Sequence, residues 1–326
     1  MNQKKTRNKV NLLFVYFKSR KLTLLFLPLL SFLTFSCERS SIKNCNYTNQ
    51  SSFTQTDLCH PIITTYSYGL EAYPIPEQIS ILKGLQMDGL VLEVTSNTLN
   101  KLDLYYETCE IKTGEFHISD IFTTIDLNQN LGNQLSTIDQ IYNKIQFQPT
   151  ILQVIFVGQK GNTIVKSTVS RIAEIANRYG KNLIIYPHDN SAIETAEEAL
   201  YYIELTNKNN VFLSIHLCHE LAAGNGYRIE EVITKASPFI KSVSISGASE
   251  SEQNDSSLPL WYWGIKPLNH GTYNYTQFYK SLYKVNYIGP IAIHSWGILN
   301  NFGLRPMDHI PISRQILLEI ATDLCI

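Results

Sequence analysis

The sequence predicts an α/β fold, a single (β/α)8 TIM barrel that follows an N-terminal signal and a short tether. From His60 onward, short apolar segments alternate with segments of helical spacing over roughly 265 residues, which is the usual length of one such barrel. A doubly wound nucleotide-binding sheet would carry a glycine-rich loop after its first strand. This chain has no such loop there, so the barrel is favoured.

The elements follow in order along the chain. Short apolar runs predict buried parallel strands at residues 62–67, 90–94, 152–157, 183–186, 211–215, 242–246 and 291–295. Helical spacing predicts helices at residues 76–86, 165–179, 192–206, 229–236 and 275–285, with a C-terminal helix from Ile312. Gly180 is a typical helix terminator. Residues 101–145 are harder to interpret, with one strand expected near Glu110 and a helix near Ile138.

The first residues are typical of a secretion signal. Seven of the 27 basic residues and none of the 28 acidic ones lie among the first 37 positions, and a 14-residue apolar run at 22–35 is too short to span a bilayer easily. Ser36-Cys37 then resembles the cleavage site of bacterial lipoproteins, in its looser Bacteroidetes-type form. We therefore expect a signal peptide at 1–36, a lipidated Cys37 with a flexible tether at 37–58, and the barrel at 59–326. An ordinary signal peptide or an uncleaved anchor are the alternatives.

The charge of the remaining chain argues against nucleic acid as a partner. Removing the leader leaves 20 basic against 28 acidic residues, a net charge of −8. A phosphate backbone requires a basic surface. We expect instead a small carbohydrate as ligand and the membrane, through the lipid, as anchor; the oligomeric state is left open.

Five cysteines follow Cys37. In an oxidising compartment Cys45 and Cys59 could close a small loop, and the odd number leaves at least one free thiol. Cys218 could be either a packing residue or a ligand. No Cys-x-x-Cys pair is present, so a structural zinc site is not expected.

Three histidines mark the candidate site. His188 follows the strand at 183–186, and His216 and His219 follow the next strand, at 211–215. In barrels, ligand chemistry occurs at the carboxyl ends of the strands. These imidazoles are therefore better placed for function than histidines elsewhere, although a single histidine there is often only a packing residue.

Five phrases, in order, resemble a known family: IYPHDNSAIETAEEAL, NNVFLSIHLCHELAAG, SVSISGAS, IKPLNHGTYN and NYIGPIAIHSWGI. They are similar to the xylose-isomerase-like TIM barrels known as sugar phosphate isomerases/epimerases, over roughly residues 62–313, and most similar to an exported lipoprotein branch. The resemblance implies a divalent metal held by two Glu, one Asp and one His, which stabilises an enediolate. In this chain Tyr186, His216, Ser246 and His294 stand at those positions, so the metal site is expected to be degenerate.

Two interpretations of the site follow. In the first, four histidines bind a transition metal such as Zn, Mn, Co or Ni, with Glu93 as base, Tyr186 as hydrogen-bond donor and His188 in either role; the ligands would be His188, His216, His219 and His294. In the second, the metal is lost and the mouth binds sugar through Trp261, Trp263, Trp296, Lys266 and His270. His117 and His309 are expected to be solvated loop residues.

Three functions remain open: a sugar isomerase or epimerase, a lyase or hydratase acting on keto-sugars or glycosides, and a non-catalytic carbohydrate-binding barrel. The first two need an oxyanion stabiliser and a base, whereas a binding protein needs neither. Phosphorylated substrates are not expected for an exported protein.

Overall fold

The computed structural model describes residues 58–158, 161–253, 255 and 257–325. The signal peptide, Cys37, Cys45 and nearly all of the tether lie outside these ranges, so their predicted roles stay predictions. Within the described part of the chain, no helix combines the length and the apolar character that crossing a bilayer requires.

Eight parallel strands form a closed barrel, in which each strand is hydrogen-bonded to the next in chain order and the last to the first. Thr64 of the first strand pairs with Ala292 of the last and closes the ring. The strands are β1 Ile63–Tyr66, β2 Gly89–Glu93, β3 His117–Asp126, β4 Ile151–Val157, β5 Leu183–Ile185, β6 Val211–His216, β7 Ile240–Ile245 and β8 Ile291–Ile293. The predicted (β/α)8 fold is confirmed.

Helices follow the strands and cover the barrel. They are α1 Ile75–Gly84, α2 Leu99–Tyr106, α3 Cys109–Lys112, α4 Leu131–Ile145, α5 Asn162–Arg178, α6 Ala196–Thr206, α7 Leu217–Ala222, α8 Ile229–Ala236, α9 Glu250–Gln253, α10 Leu260–Trp263, α11 Tyr275–Lys284, α12 Ile298–Phe302 and α13 Pro306–Cys325. Local chemistry sets their ends. The Thr195 hydroxyl accepts a hydrogen bond from the amide of Glu198 and caps α6, and Asn207, in the left-handed region at φ 48°, ends it.

Two sequence-based elements were wrong in position. The strand expected near Glu110 lies at β3, and Glu110 itself belongs to the short helix α3. The polar residues of β3 interrupt its apolar run and hide the strand pattern. The C-terminal helix begins at Pro306, six residues before the expected Ile312. The sequence suggested the later start because Pro311, which lies inside the helix, is normally a helix breaker.

One layer of core lies outside the strands and another lies inside the barrel. The larger layer packs the outer faces of the strands against the helices. Side chains alternate between the two faces of a strand, and the smaller layer consists of those that face the barrel interior. Its members are Tyr66, Val91, Phe122, Ile155, Tyr186 and Ala292. Two of its aromatic members, Tyr66 and Tyr186, lie at the carboxyl ends of β1 and β5, beneath the mouth of the barrel.

The disulfide pattern differs from the expected one. Cys59, just before β1, is bonded to Cys325 at the end of α13, rather than to Cys45. Cys109 is also disulfide-bonded. Cys218 is free and buried, and burial raises the pKa of its thiol to about 12, so it packs as a neutral side chain and is not a thiolate ligand.

Candidate functional site

Four histidines lie where strands end. His216 is the last residue of β6, and His219 lies in α7, which follows directly. His188 comes three residues after β5, and His294 comes directly after β8. All strands are parallel, so these side chains share the carboxyl end of the barrel, called the mouth below.

His216 is fully engaged with protein partners. Its Nε2–H donates to Oε1 of Gln153 at 3.1 Å and also lies 3.0 Å from the hydroxyl of Ser214. Its Nδ1 accepts from the hydroxyl of Ser244 at 2.6 Å, with the Tyr66 hydroxyl at 3.4 Å. Because both ring nitrogens are used, no lone pair is left for a metal ion.

The network continues into the barrel to Asp120, which the sequence analysis did not single out. The Gln153 amide donates to Oδ1 of Asp120 at 2.9 Å and to the hydroxyl of Ser242 at 3.1 Å. Asp120 is completely buried, and among the described residues its Oδ2 has no hydrogen-bond partner. Burial raises the pKa of this carboxyl. The sequence feature that could have identified Asp120 is an acidic residue within the largely apolar segment HISDIFTTID.

The other three imidazoles have tautomers that follow from their backbone contacts. Nδ1 of His188 lies 2.7 Å from the carbonyl of Asp189 and must donate, which leaves an Nε2 lone pair. Nδ1 of His219 accepts the Asp189 amide at 3.3 Å, and Nδ1 of His294 accepts the Trp296 amide at 3.4 Å. His219 and His294 therefore carry Nε2–H donors, and the buried Nε2 of His219 has no partner among the described residues.

These imidazoles are neutral at physiological pH. Burial lowers the pKa of His188 and lowers those of His216 and His219 well below the usual value. Burial, together with the nearby His188, lowers the pKa of His294 to about 3. The mouth therefore offers neutral N–H donors and one basic nitrogen rather than positive charge.

Aromatic stacking fixes the histidines in place. The Tyr186 ring is parallel to that of His216, with centroids 3.5 Å apart. The Tyr66 ring contacts that of His294 at 4.4 Å and stacks with that of Tyr68 at 5.6 Å. Burial raises the pKa of Tyr186 well above its usual value, so it is a neutral phenol and can only donate or accept a hydrogen bond.

The donor set does not fit the family's metal. No group of three or more His, Cys, Asp or Glu side chains in the described part of the chain has the arrangement to hold an ion. Ser246, which stands where the resemblance implies a His ligand, donates instead to the carbonyl of Gly264 at 2.8 Å. With His216 saturated and with His219 and His294 presenting N–H groups, only His188 has a ring lone pair to offer. The predicted imidazole metal site thus gains no support from the geometry.

Glu93, the last residue of β2, lies beside a cavity. The cavity has a volume of about 380 Å³ and is lined in part by Tyr68, Glu71, Glu93, Lys101 and Tyr105. Partial burial raises the pKa of Glu93, which brings a carboxylate closer to the range that suits a general base at neutral pH. Its position is compatible with the predicted role.

The predicted sugar-binding residues have different environments: the rings of Trp261 and Trp296 are in contact, whereas the others are paired, buried or lie on another segment. Lys266 is buried and paired with Glu252, whose oxygens lie 2.9 and 3.0 Å from its Nζ, so this ammonium is not a free donor. Trp263 is buried in the core, whereas Trp261 and Trp296 are 45% and 39% exposed. His270 is exposed in the segment between α10 and α11.

The two histidines expected in solvated loops lie elsewhere. His117 is half-buried as the first residue of β3. His309 is buried within α13, where it lines a second cavity of about 340 Å³ together with Tyr68, Glu71 and Trp296. Burial lowers the pKa of His309 to about 4.

A family model described as "Xylose isomerase-like TIM barrel" matches residues 106–305. The chain belongs to this family. No curated protein matches it in sequence.

Solved structures share the barrel fold. The chain superposes on the 3-keto-D-glucoside 4-epimerase YcjR from E. coli with a TM-score of 0.61 and 15% identity, covering 79% of this chain and 99% of that one. For the probable 3-DHS dehydratase AsbF from Bacillus anthracis, the values are 0.60, 15%, 78% and 98%. For a xylose isomerase-like barrel from Mycobacterium smegmatis in complex with magnesium, they are 0.58, 14%, 82% and 98%. At these identities the likeness concerns the fold.

Proposed function

We propose that this barrel is an isomerase or epimerase-like enzyme that enolises a small carbohydrate at its mouth by acid–base chemistry of its own side chains. One observation carries the proposal: a neutral imidazole donor, His294, and a carboxylate of raised pKa, Glu93, both lie at the end of the barrel where this fold places its chemistry. Family membership and the epimerases among similar structures support a carbohydrate substrate.

The roles follow from the protonation states. Glu93 removes a proton from the carbon beside a sugar carbonyl, and the electron pair of that C–H bond moves to the carbonyl oxygen. The Nε2–H group of His294 donates a hydrogen bond to the developing oxyanion. A neutral imidazole can stabilise such an oxygen when its pKa is lowered. Protonation of the same carbon on the opposite face completes epimerisation. Protonation of the former carbonyl carbon, with the hydroxyl proton of the deprotonated carbon moving to the former carbonyl oxygen, completes isomerisation.

Hydrogen exchange tests this proposal directly. Ketohexoses (fructose, tagatose and psicose) and a 3-keto-glucoside would be incubated with the protein in D2O, and deuterium at the carbon beside the carbonyl followed by NMR. We expect exchange that persists in EDTA and that Glu93→Gln slows about 100-fold, a usual value for loss of a general base. Glu174→Gln, which removes a surface carboxylate paired with Lys208, is the matched control.

Other outcomes assign the function differently. Exchange that EDTA abolishes would restore a metal-assisted mechanism, and exchange unaffected by Glu93→Gln would remove Glu93 from the chemistry. Elimination of water from a keto-sugar would indicate the lyase or hydratase alternative.

A carbohydrate-binding barrel is the second candidate, favoured by the saturation of His216 and the pairing of Lys266. Sugar binding without exchange or elimination would establish it.

We also propose that the protein is exported and anchored through Cys37. The bond between Cys59 and Cys325 and the bonded state of Cys109 support an oxidising compartment. Replacing Cys37 with Ser should release the protein from membranes. Unchanged membrane retention with no attached lipid would contradict the anchor.

A further inference from the structure

The space beside the mouth is larger than one site. The 380 Å³ cavity lies against Gln78 and Tyr105, and the 340 Å³ cavity lies against Trp296 and His309. Tyr68 and Glu71 line both cavities, so the two cavities are neighbours. The two cavities are adjacent parts of one trough, which is called the rim trough below.

Two tryptophans stand at one end of the rim trough. The rings of Trp261 and Trp296 meet edge to face, with centroids 5.4 Å apart and planes at 77°. The Asn301 amide donates to the carbonyl of Trp261 at 3.1 Å and so links α12 to α10, which carries this tryptophan. Both rings nonetheless keep large exposed areas. An exposed aromatic pair beside a cavity is typical of a binding surface, because its faces gain by covering an apolar ligand surface.

Charge restricts the kind of ligand. Among the described residues around the 340 Å³ cavity there is no Lys or Arg, and Glu71 contributes a carboxylate. The 380 Å³ cavity sets Glu71 and Glu93 against Lys101. The ammonium of Lys266 is held by Glu252. A phosphate would meet mainly like charge here, whereas sugar hydroxyls can donate to the carboxylates and present their C–H faces to the tryptophans.

We infer that the ligand is an uncharged glycoside of at least two sugar rings, with one ring at the mouth and a second ring packed against the pair Trp296 and Trp261. The inference rests on the proposed carbohydrate site and specifies its substrate class. It distinguishes this chain from a barrel built for a free sugar phosphate.

Calorimetric titration tests the inference. The probes are glucose, galactose and mannose, their β-1,4-linked di- and trisaccharides, and glucose 6-phosphate. We expect a disaccharide of at least one series to bind about tenfold more tightly than its monosaccharide, and glucose 6-phosphate to bind more weakly than glucose. Trp296→Ala and Trp261→Ala should bring the ratio of the two dissociation constants close to one, and Trp296→Phe should retain part of the gain.

A matched control lies at the opposite end of the barrel. Phe147 is 85% exposed in the segment between α4 and β4, and Phe147→Ala should keep the wild-type ratio. Circular dichroism and thermal unfolding would establish that each variant is folded. If monosaccharides bind but disaccharides bind no more tightly, if the tryptophan variants keep the gain, or if glucose 6-phosphate binds best, this inference is overturned and the proposed function stands. If no sugar of the panel binds, this inference is overturned, and the hydrogen-exchange experiment with ketohexoses decides the proposed function separately.

Discussion

At the scale of single residues, the barrel interior is built around polar groups that need one another. The Nε2–H of His216 donates a hydrogen bond to the Gln153 carbonyl oxygen, so its Nδ1 lone pair is available to accept from Ser244. The Gln153 side chain is held in this orientation because its NH2 group donates to Asp120. Such a chain of buried hydrogen bonds fixes the tautomer of each member. The network therefore sets the chemistry of the mouth from inside the barrel.

Asp120 gives a prediction for pH. Its folded-state pKa is raised, so the folded protein holds a proton that the unfolded chain releases above about pH 4. Stability from this group is present below the unfolded pKa and is lost as pH rises through the folded pKa. Asp120→Asn should remove this dependence, so that the variant gains roughly 1–3 kcal/mol relative to wild type between pH 4.5 and pH 8.

Urea unfolding across that pH range measures the difference. Asp323→Asn, which removes an exposed carboxylate on α13, serves as the control and should keep the wild-type profile. A variant whose stability runs parallel to wild type at every pH would show that Asp120 is ionised in the folded protein.

At the scale of elements, the apolar pattern of the sequence predicted a strand correctly where most residues of that strand are in apolar surroundings. Val211–His216 and Leu183–Ile185 lie between helices and barrel interior, so their short apolar runs predicted strands correctly. β3 was missed because Asp120, which belongs to the interior network, and the polar residues Ser119 and Thr123 interrupt its apolar pattern. The network itself joins residues 33 and 63 positions apart, and a local pattern contains no information on such contacts.

The end of β7 supplies a prediction for backbone packing. A Cβ on Gly247 would lie 2.3 Å from the carbonyl oxygen of Pro267 and 2.4 Å from that of His270. Both neighbours are backbone atoms, and Gly247 also forms an isolated bridge with Lys266. Gly247→Ala should therefore displace the segment 266–270 and lower the free energy of unfolding by about 2 kcal/mol or more.

The matched control is Gly84→Ala at the end of α1. No atom lies within 4 Å of its added Cβ, and alanine is the better helix former, so stability should stay the same or rise by roughly 0.5–1 kcal/mol. Thermal or urea unfolding of both variants gives the comparison. Equal stability of the two would mean that the segment 266–270 adjusts freely.

At the scale of the whole molecule, closure of the barrel brings the two ends of the domain together. β1 pairs with β8, and α13 packs against the outer layer of the core through Ile310 and Leu317. The fold was predictable because each βα unit repeats the same local pattern. The position of the covalent link was not, because the contact between residues 59 and 325 depends on that closure.

The last prediction concerns this link. The disulfide between Cys59 and Cys325 closes a loop with a sequence separation of 266 residues, and such a cross-link stabilises mainly by restricting the unfolded chain. The double variant Cys59→Ser/Cys325→Ser should fold to the same barrel but lose about 2–4 kcal/mol of unfolding free energy. Urea unfolding without reductant measures the loss, and circular dichroism establishes that the barrel forms. Cys218→Ala separates loss of the bond from loss of a buried thiol, because Cys218 is free. Since the bond joins the first strand to the last helix, a double variant as stable as the wild type would mean that pairing of β1 with β8 alone holds the ends together.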